Sequence, residues 1–308
     1  MSRRQHRALL PRKLNTNLAL KPRNRDQNTV KTALTAITVS LSLLAAVSRT
    51  EAVTVTLYNG TGLPANQNPV WIVPSALRSQ SGFPVIVAPS ETQVSGGVQL
   101  NTAGNNAEYS GYSNYTYNQS TNQIQLINSQ FPPLDRNIGY NLSFNVALNS
   151  STNSSNDRSA FSVTAISSDR QGIELGFEPN LIFAQSPTFV RAENAAFNTN
   201  SSATYTLTVQ GSGYTLSNGS QSLSGSLRSY NFNPLASQPP LPFNPYTTPS
   251  FLFFGDNTGQ ESGTFTLGAV SVTTNTANAA VPFDFNPTFG LLILGAWTAF
   301  RHLKTKQK

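Results

Sequence analysis

From residue 140 to residue 148 the chain alternates, with Tyr140, Leu142, Phe144, Val146 and Leu148 set against Asn141, Ser143, Asn145 and Ala147. A period of two gathers every apolar residue on one face of an extended strand, whereas a helix would scatter them. The pattern recurs elsewhere. Ala203, Tyr205, Leu207 and Val209 alternate with threonines, and Ile173, Leu175 and Phe177 alternate with Glu174, Gly176 and Glu178, which puts both carboxylates on one face. In residues 263–272 the apolar parity shifts from Phe265 and Leu267 to Val270 and Val272, which predicts a β-bulge near Gly268. Phe251, Leu252, Phe253 and Phe254 are apolar on both faces and predict a central strand covered on both sides. Short strands of this kind, joined by Asn, Gly and Ser turns, predict an all-β fold, an antiparallel jelly-roll sandwich. Residues 149–156 read as a Ser/Asn connection, and residues 234–249, with six prolines, as a long loop between strands.

Composition decides how large that sandwich is and what it avoids. Only 11% of the 308 residues are charged and 38% are hydrophobic, enough to bury one sizeable core in a single large β unit. A net charge of +7 would suit a nucleic-acid partner, but its distribution does not. Ten of the 20 basic residues precede Val53 and four lie in the last eight positions. Between residues 53 and 281 there is no lysine, and six arginines face ten acids, a net charge of −4. A surface that tracks phosphates needs clustered Lys and Arg, so nucleic acid is excluded as a partner.

The basic ends flank apolar segments. Residues 32–48 carry no charge, follow a long basic stretch and run into small residues at Ala46, Ser48, Thr50 and Ala52. This is the pattern of an export signal over residues 1–52, with signal peptidase as the processing partner and a signal helix within it. At the other end, Pro282-Phe283-Asp284-Phe285-Asn286-Pro287 precedes an apolar stretch, residues 289–300, and a basic tail with Arg301, Lys304, Lys306 and Lys308. A basic stop after an apolar helix holds that end on the cytoplasmic side of a membrane. Residues 282–308 resemble the PEP-CTERM type of bacterial sorting signal, in the cyanobacterial variant that opens with Pro-Phe-Glu or Pro-Phe-Asp. Pro282, Phe283, Asp284, Phe285 and Pro287 are the positions that carry the likeness. The resemblance implies an exosortase-like peptidase as a second processing partner and a membrane contact through the C-terminal helix. The expected organisation is a signal over 1–52, a sandwich over 53–272, a linker over 273–281 and the sorting signal over 282–308. The expected location is the cell envelope or the extracellular side, membrane-anchored at least transiently.

Several chemistries are ruled out by residue type. The chain has no Cys, and its two histidines, His6 and His302, lie in the ends. The body therefore has no Ser-His-Asp or Cys-His site and no zinc site of His and Cys. Carboxylate chemistry is what remains. Glu174 and Glu178 are the one close same-face pair, and four residues of strand separate them by about 13 Å. Glycosidase carboxyls stand ~5.5 Å or ~6.5 to 9.5 Å apart, so regular strand geometry speaks against hydrolysis.

Binding is the better use of these residues. Glu174 and Glu178 are candidates for a ligand-binding face. Tyr109 and Tyr112 belong to the densest aromatic cluster, which continues to Tyr115 and Tyr117, and tyrosine offers a ring to pack on with a wet hydroxyl. Arg170, from one of three Asp-Arg dipeptides, is a further candidate contact, although such pairs also suit cross-strand ion pairing. Asp256 and Asn257 offer the hard oxygen donors that calcium prefers, on a turn of no established loop spacing. No other cofactor is expected.

Residues 131–177, with FPPLDRNIGYNLSFNVAL, NDRSAFSV and ISSDRQGIELGF, are similar to the concanavalin A-like (LamG-like) jelly-roll domains of cyanobacterial surface proteins with alternative C-terminal anchors. Residues 189–197, 203–216 and 251–272 look like later strands of the same domain, and residues 53–130 match poorly. The resemblance implies fold more firmly than activity, since that superfamily holds lectins, glucanases and adhesion modules. The expectation is an exported, surface-anchored, non-catalytic module for carbohydrate or envelope polysaccharide. A structural or adhesion role without a glycan ligand, and a glycoside hydrolase, are the alternatives.

Overall fold

The computed structural model describes residues 52–80, 83–102, 108–121, 123–237 and 240–275. The expected signal helix, residues 276–281 of the expected linker, and the sorting motif with Pro282, Phe283, Asp284, Phe285 and Pro287 lie outside these residues. Among the described residues no helix is long and apolar enough to cross a membrane.

Eighteen strands are described. The first eight are β1 (Ala52–Tyr58), β2 (Val73–Gln80), β3 (Phe83–Val87), β4 (Glu91–Val94), β5 (Gly97–Asn101), β6 (Glu108–Ser113), β7 (Tyr115–Asn118) and β8 (Gln123–Leu126). The middle of the chain supplies β9 (Tyr140–Thr152), β10 (Phe161–Ile166), β11 (Gly172–Glu178), β12 (Leu181–Gln185) and β13 (Arg191–Ala196). The last five are β14 (Ala203–Gln210), β15 (Gly213–Ser217), β16 (Ser222–Ser226), β17 (Phe251–Asp256) and β18 (Ser262–Asn275). They form two eight-stranded antiparallel sheets and a β7–β8 hairpin. The first sheet runs β16-β15-β14-β9-β18-β5-β4, with β1 also paired to β18. The second runs β13-β12-β11-β10-β17-β6-β2-β3.

The period-two residues build the core between the sheets. Leu142, Phe144, Val146 and Leu148 of β9, with Tyr205, Leu207 and Val209 of β14, are buried against Phe161, Val163, Ile173, Leu175 and Phe177 of the second sheet. Phe144 stacks on Tyr205 at 5.6 Å and meets Phe177 edge-on at 6.1 Å, while Phe161 and Phe265 join the two sheets at 4.4 Å. Rings offset in this way add attraction beyond the area they bury. The parity change in β18 is a register shift between Leu267 and Val270, where the bulge is expected. Phe251–Asp256 is central, between β10 and β6, as its two apolar faces require.

Two expected connections are strand instead. β9 continues to Thr152, so it takes in the first part of the Ser/Asn stretch. β18 continues to Asn275, so Thr273, Thr274 and Asn275 are not linker. Thr273 and Thr274 pair with Asn141 and Tyr140 on one side and with Thr54 and Val53 on the other. A threonine run suits a strand when both neighbours satisfy its backbone, and Thr54 and Thr273 also join hydroxyls at 2.8 Å.

The outer face of the second sheet is where the fold departs from a plain sandwich. Every residue of β10 is buried, including Ser162, Thr164 and Ile166, which face away from the core. The cover is the proline-rich segment, which folds back across β10, β11 and β17. Tyr246 from that segment and Tyr230, just ahead of it, pack with Ile166 and Phe251 as a second apolar cluster, joined by Phe189, Phe232 and Phe243. Two short 3₁₀ turns, Pro234–Ala236 and Pro245–Thr247, give it local order. Each starts from an asparagine, Asn233 or Asn244, whose side chain accepts a backbone N–H and is followed by proline at the first helical position.

Candidate functional site

Strand parity sorts the second sheet's side chains before any ligand is considered. On β11, Ile173, Leu175 and Phe177 enter the core, so Glu174 and Glu178 face outward, on the one face the sequence predicts. On β6, Tyr112 opposes Phe254 and lies in the core, whereas Tyr109 is an odd number of residues away and faces outward. Gly111 sits between them on the outer face. A Cβ there would collide with the Phe253 ring, so glycine is what lets that ring lie across β6.

Over the part of this face that the proline-rich segment leaves open there is a cavity of about 560 Å³. That is within the ~300 to 1,000 Å³ usual for small-molecule sites. Tyr109, Phe251 and Phe253 line it from the second sheet, and Tyr115 and Tyr117 from the β7–β8 hairpin. Phe243 and Tyr246 line it from the proline-rich segment, Phe232 from just ahead of it, Leu77 from β2 and Ile86 from the edge strand β3. Polar groups enter at Arg158 and from the turn Asn257, Thr258, Gly259 and Gln260. Among the described residues that line it there is no carboxylate.

Glu174 lies beneath this cavity. It is 1% exposed, its Oε1 stands 3.4 Å from Arg158 Nη1, and its Oε2 accepts from the Tyr246 hydroxyl. The Glu174 backbone N–H donates to the Tyr230 hydroxyl at 2.7 Å, which donates to the Gln185 carbonyl at 3.3 Å. Both carboxylate oxygens are therefore engaged, and Glu174 fastens the proline-rich segment to the sheet instead of lining a ligand face as the sequence suggests. Burial, with the Glu174 carboxylate alongside, pushes the Tyr246 hydroxyl well above the ordinary tyrosine value, so it stays a donor.

Arg158 is the one cation at the polar end of the cavity among the described lining residues, with 23% of its side chain exposed. Its Nη2 donates to the Asn257 carbonyl at 3.2 Å and to Asn257 Oδ1 at 3.0 Å. Its guanidinium also lies 5.4 Å from the centre of the Phe189 ring. Phe189 has φ 63°, a left-handed conformation that a bulky residue adopts only under constraint. That backbone puts the ring against Tyr230 at 5.4 Å and Tyr246 at 5.2 Å.

The remaining candidates fall elsewhere. Glu178 pairs with Arg191 at 2.5 Å near the sheet edge, where Arg191 also covers the Phe183 ring at 4.3 Å. Burial pushes the Glu178 carboxyl up, against the pull of Arg191. Tyr112 is fully buried between the sheets and its hydroxyl donates to Glu91 at 2.9 Å, so it does not share a ligand face with Tyr109. Arg170 is exposed in the β10–β11 turn at φ 68°, outside the cavity lining. Two of the Asp-Arg dipeptides are joined, Arg136 to Asp169 at 2.7 Å.

The calcium candidates point to different partners. Asp256 is fully buried; its Oδ1 accepts from the Thr258 backbone and hydroxyl at 2.9 and 2.7 Å, and its Oδ2 from the Thr102 hydroxyl at 2.9 Å. Asn257 Oδ1 is taken by Arg158. Their oxygens therefore do not converge on one point, and no group of three or more His, Cys, Asp or Glu that could hold a metal occurs among the described residues. Burial pushes the Asp256 carboxyl up to about 7, against the pull of its hydrogen bonds from Thr258 and Thr102.

Sequence reasoning misses Arg158, Phe189 and Tyr246. Their only signals are an Asp-Arg dipeptide just ahead of a strand and aromatic residues within or near a proline-rich loop, where a solvated linker would carry few.

No family model matches the chain, and no curated protein matches it. Among solved structures it is similar to the carbohydrate esterase vb_24B_21 from Shiga toxin-encoding bacteriophage phi24B, at 11% identity and a TM-score of 0.43, over 73% of this chain and 100% of that one. It is similar to peanut lectin at 11% identity and a TM-score of 0.37, over 73% of this chain and 98% of that one. A Trypanosoma rangeli sialidase aligns at 12% identity and a TM-score of 0.36, over 82% of this chain but 38% of the sialidase. Likenesses of this size carry nothing about the chemistry of this chain.

Proposed function

We propose that this protein is an exported, surface-anchored binding module without catalytic activity. Its sandwich is a concanavalin A-like jelly roll that takes carbohydrate or envelope polysaccharide in the outer-face cavity. The observation that carries the reading is the lining: tyrosine and phenylalanine rings beside amide and hydroxyl groups, with no carboxylate among the described lining residues. Rings pack against the C–H faces of a sugar while the Asn257 and Gln260 amides suit its hydroxyls. Export and anchoring rest on the patterns of residues 32–48 and 282–308, with signal peptidase and an exosortase-like peptidase as the processing partners.

The test is calorimetry of the purified protein against a panel of polysaccharides, with Tyr109→Ala alongside. Saturable binding to one glycan class, weakened at least tenfold by the substitution, is expected. A folded protein that binds no member of the panel overturns the reading in favour of a structural envelope role. Release of reducing ends during the incubation would instead make it a glycoside hydrolase. Cell fractionation tests the location, and recovery of the protein in the cytoplasm would refute it.

A further inference from the structure

The two ends of the cavity differ in chemistry. Cross-strand pairing sets Ile86 opposite Leu77, and Leu77 opposite Tyr109, so these three form one row across β3, β2 and β6. The row starts at the edge of the sheet, where Ile86 is 42% exposed. Aliphatic carbon continues across the cavity at Leu241 and Pro242. A pyranose has no use for a wall of this kind, because aliphatic side chains answer none of its hydroxyls. An alkyl chain does, since each methylene removed from water there is favourable.

The polar end is close to that row. Asp256 pairs with Ser110, so Asn257 and Tyr109, the next residue of each antiparallel strand, sit at the same end of the sheet. Here Arg158 is charge-matched by Glu174, and its Nη2 is engaged by Asn257. A ligand arriving at this end meets a compensated cation together with the Gln260 and Asn257 amides. That environment suits neutral hydroxyl groups. A carboxylate headgroup would bring a second negative charge toward buried Glu174, at a desolvation cost that Arg158, already matched, does not offset.

We propose that the ligand is amphiphilic: a neutral sugar bearing an alkyl or acyl chain. The chain lies on Ile86 and Leu77, and the sugar lies at the Arg158–Asn257 end. The inference rests on the carbohydrate reading for the sugar half and is independent of it for the chain half.

The test uses methyl, hexyl and octyl β-glucoside below their micelle-forming concentrations, with octanoate as the anionic comparison, titrated into the purified protein. Affinity should rise about fourfold per methylene, the equivalent of ~0.8 kcal/mol for each buried CH₂. Octyl glucoside should bind at least tenfold more tightly than octanoate. In the Ile86→Asp variant, whose thermal melt checks folding at this exposed edge position, the gain per methylene should fall to less than half. Affinity that does not depend on chain length overturns the inference even if a polysaccharide binds. Octanoate binding as tightly as octyl glucoside overturns the neutral headgroup. Octyl glucoside binding while the whole polysaccharide panel fails would remove the polysaccharide reading alone, so the two failures are distinguishable.

Discussion

The Tyr246 hydroxyl donates to the carboxylate of Glu174, joining a short turn of the proline-rich segment to the centre of β11 across 72 residues of sequence. Both side chains are buried, so this contact is made away from water and without competition from it. It holds one wall of the cavity, because Tyr246 itself lines it.

Tyr246→Phe removes that donor and leaves Glu174 Oε2 buried without it. A cost of about 1 to 3 kcal/mol in urea denaturation is expected, typical of a buried acceptor that loses its partner. Ligand affinity should fall as well, since the wall loses its fastening. A variant as stable as the parent would show that the hydroxyl is not holding the segment.

The stability of the protein should depend on pH through Asp256. Its carboxyl rises from the ordinary 3.8 to about 7 on burial. Between those values the folded protein holds a proton that the unfolded chain has lost, so stability falls as pH rises through the window and is level above it. A rise of this size is worth at most about 4 kcal/mol across the whole window. In Asp256→Asn the side-chain oxygen can still accept from Thr258, and the amide can donate to the Thr102 hydroxyl. That variant should lack this part of the loss between pH 5 and pH 8, measured by urea denaturation. Equal pH dependence in the two proteins would rule out Asp256 as its source.

At position 189 the backbone and the ring make opposite demands. Removing the ring to alanine keeps the left-handed strain and loses contacts with Tyr230, Tyr246 and Arg158. Glycine loses the same contacts but relieves the strain, so Phe189→Gly should be about 1 kcal/mol more stable than Phe189→Ala. Calorimetric melts compare the two directly, and the reverse order would mean that the backbone is not left-handed in solution.

Tyr109 and Tyr112 should separate in their effects. Tyr112→Phe breaks the bond to Glu91 between the sheets and should cost about 1 kcal/mol of stability while leaving ligand affinity unchanged. Tyr109→Ala should weaken binding with little effect on the core. Parallel denaturation and titration of both variants decides this, and a loss of affinity in Tyr112→Phe would contradict the strand parity of β6.

What can be read from the sequence follows from how each segment is buried. β9, β14 and β18 each have one face on the core, and half-burial leaves the alternation that identifies them, while β11, buried on both faces, alternates because its outward positions hold Glu174, Gly176 and Glu178. β4, β7 and β8 are four residues each and carry little pattern, so the region before residue 130 is poorly legible. The shared face of Glu174 and Glu178 follows from parity alone. Their partners do not, because Arg158 and Tyr246 reach Glu174 from separate loops, and long-range pairing leaves no local trace. Tyr112 is misplaced for a different reason: clustering along the chain groups it with Tyr109, while their odd spacing on one strand puts them on opposite faces.

The pairing of Ala52 with Asn275 makes the two ends of the sandwich terminal partners of one antiparallel ladder. A pulling force applied between these ends would peel β1 from β18 one residue pair at a time, a mode with little mechanical resistance. Force transmitted from a ligand in the cavity to the Asn275 end alone runs lengthwise along β18 instead. It then loads the ladder to β9 in shear, with many hydrogen bonds sharing the strain, so the fold withstands more tension along β18 than between its two ends.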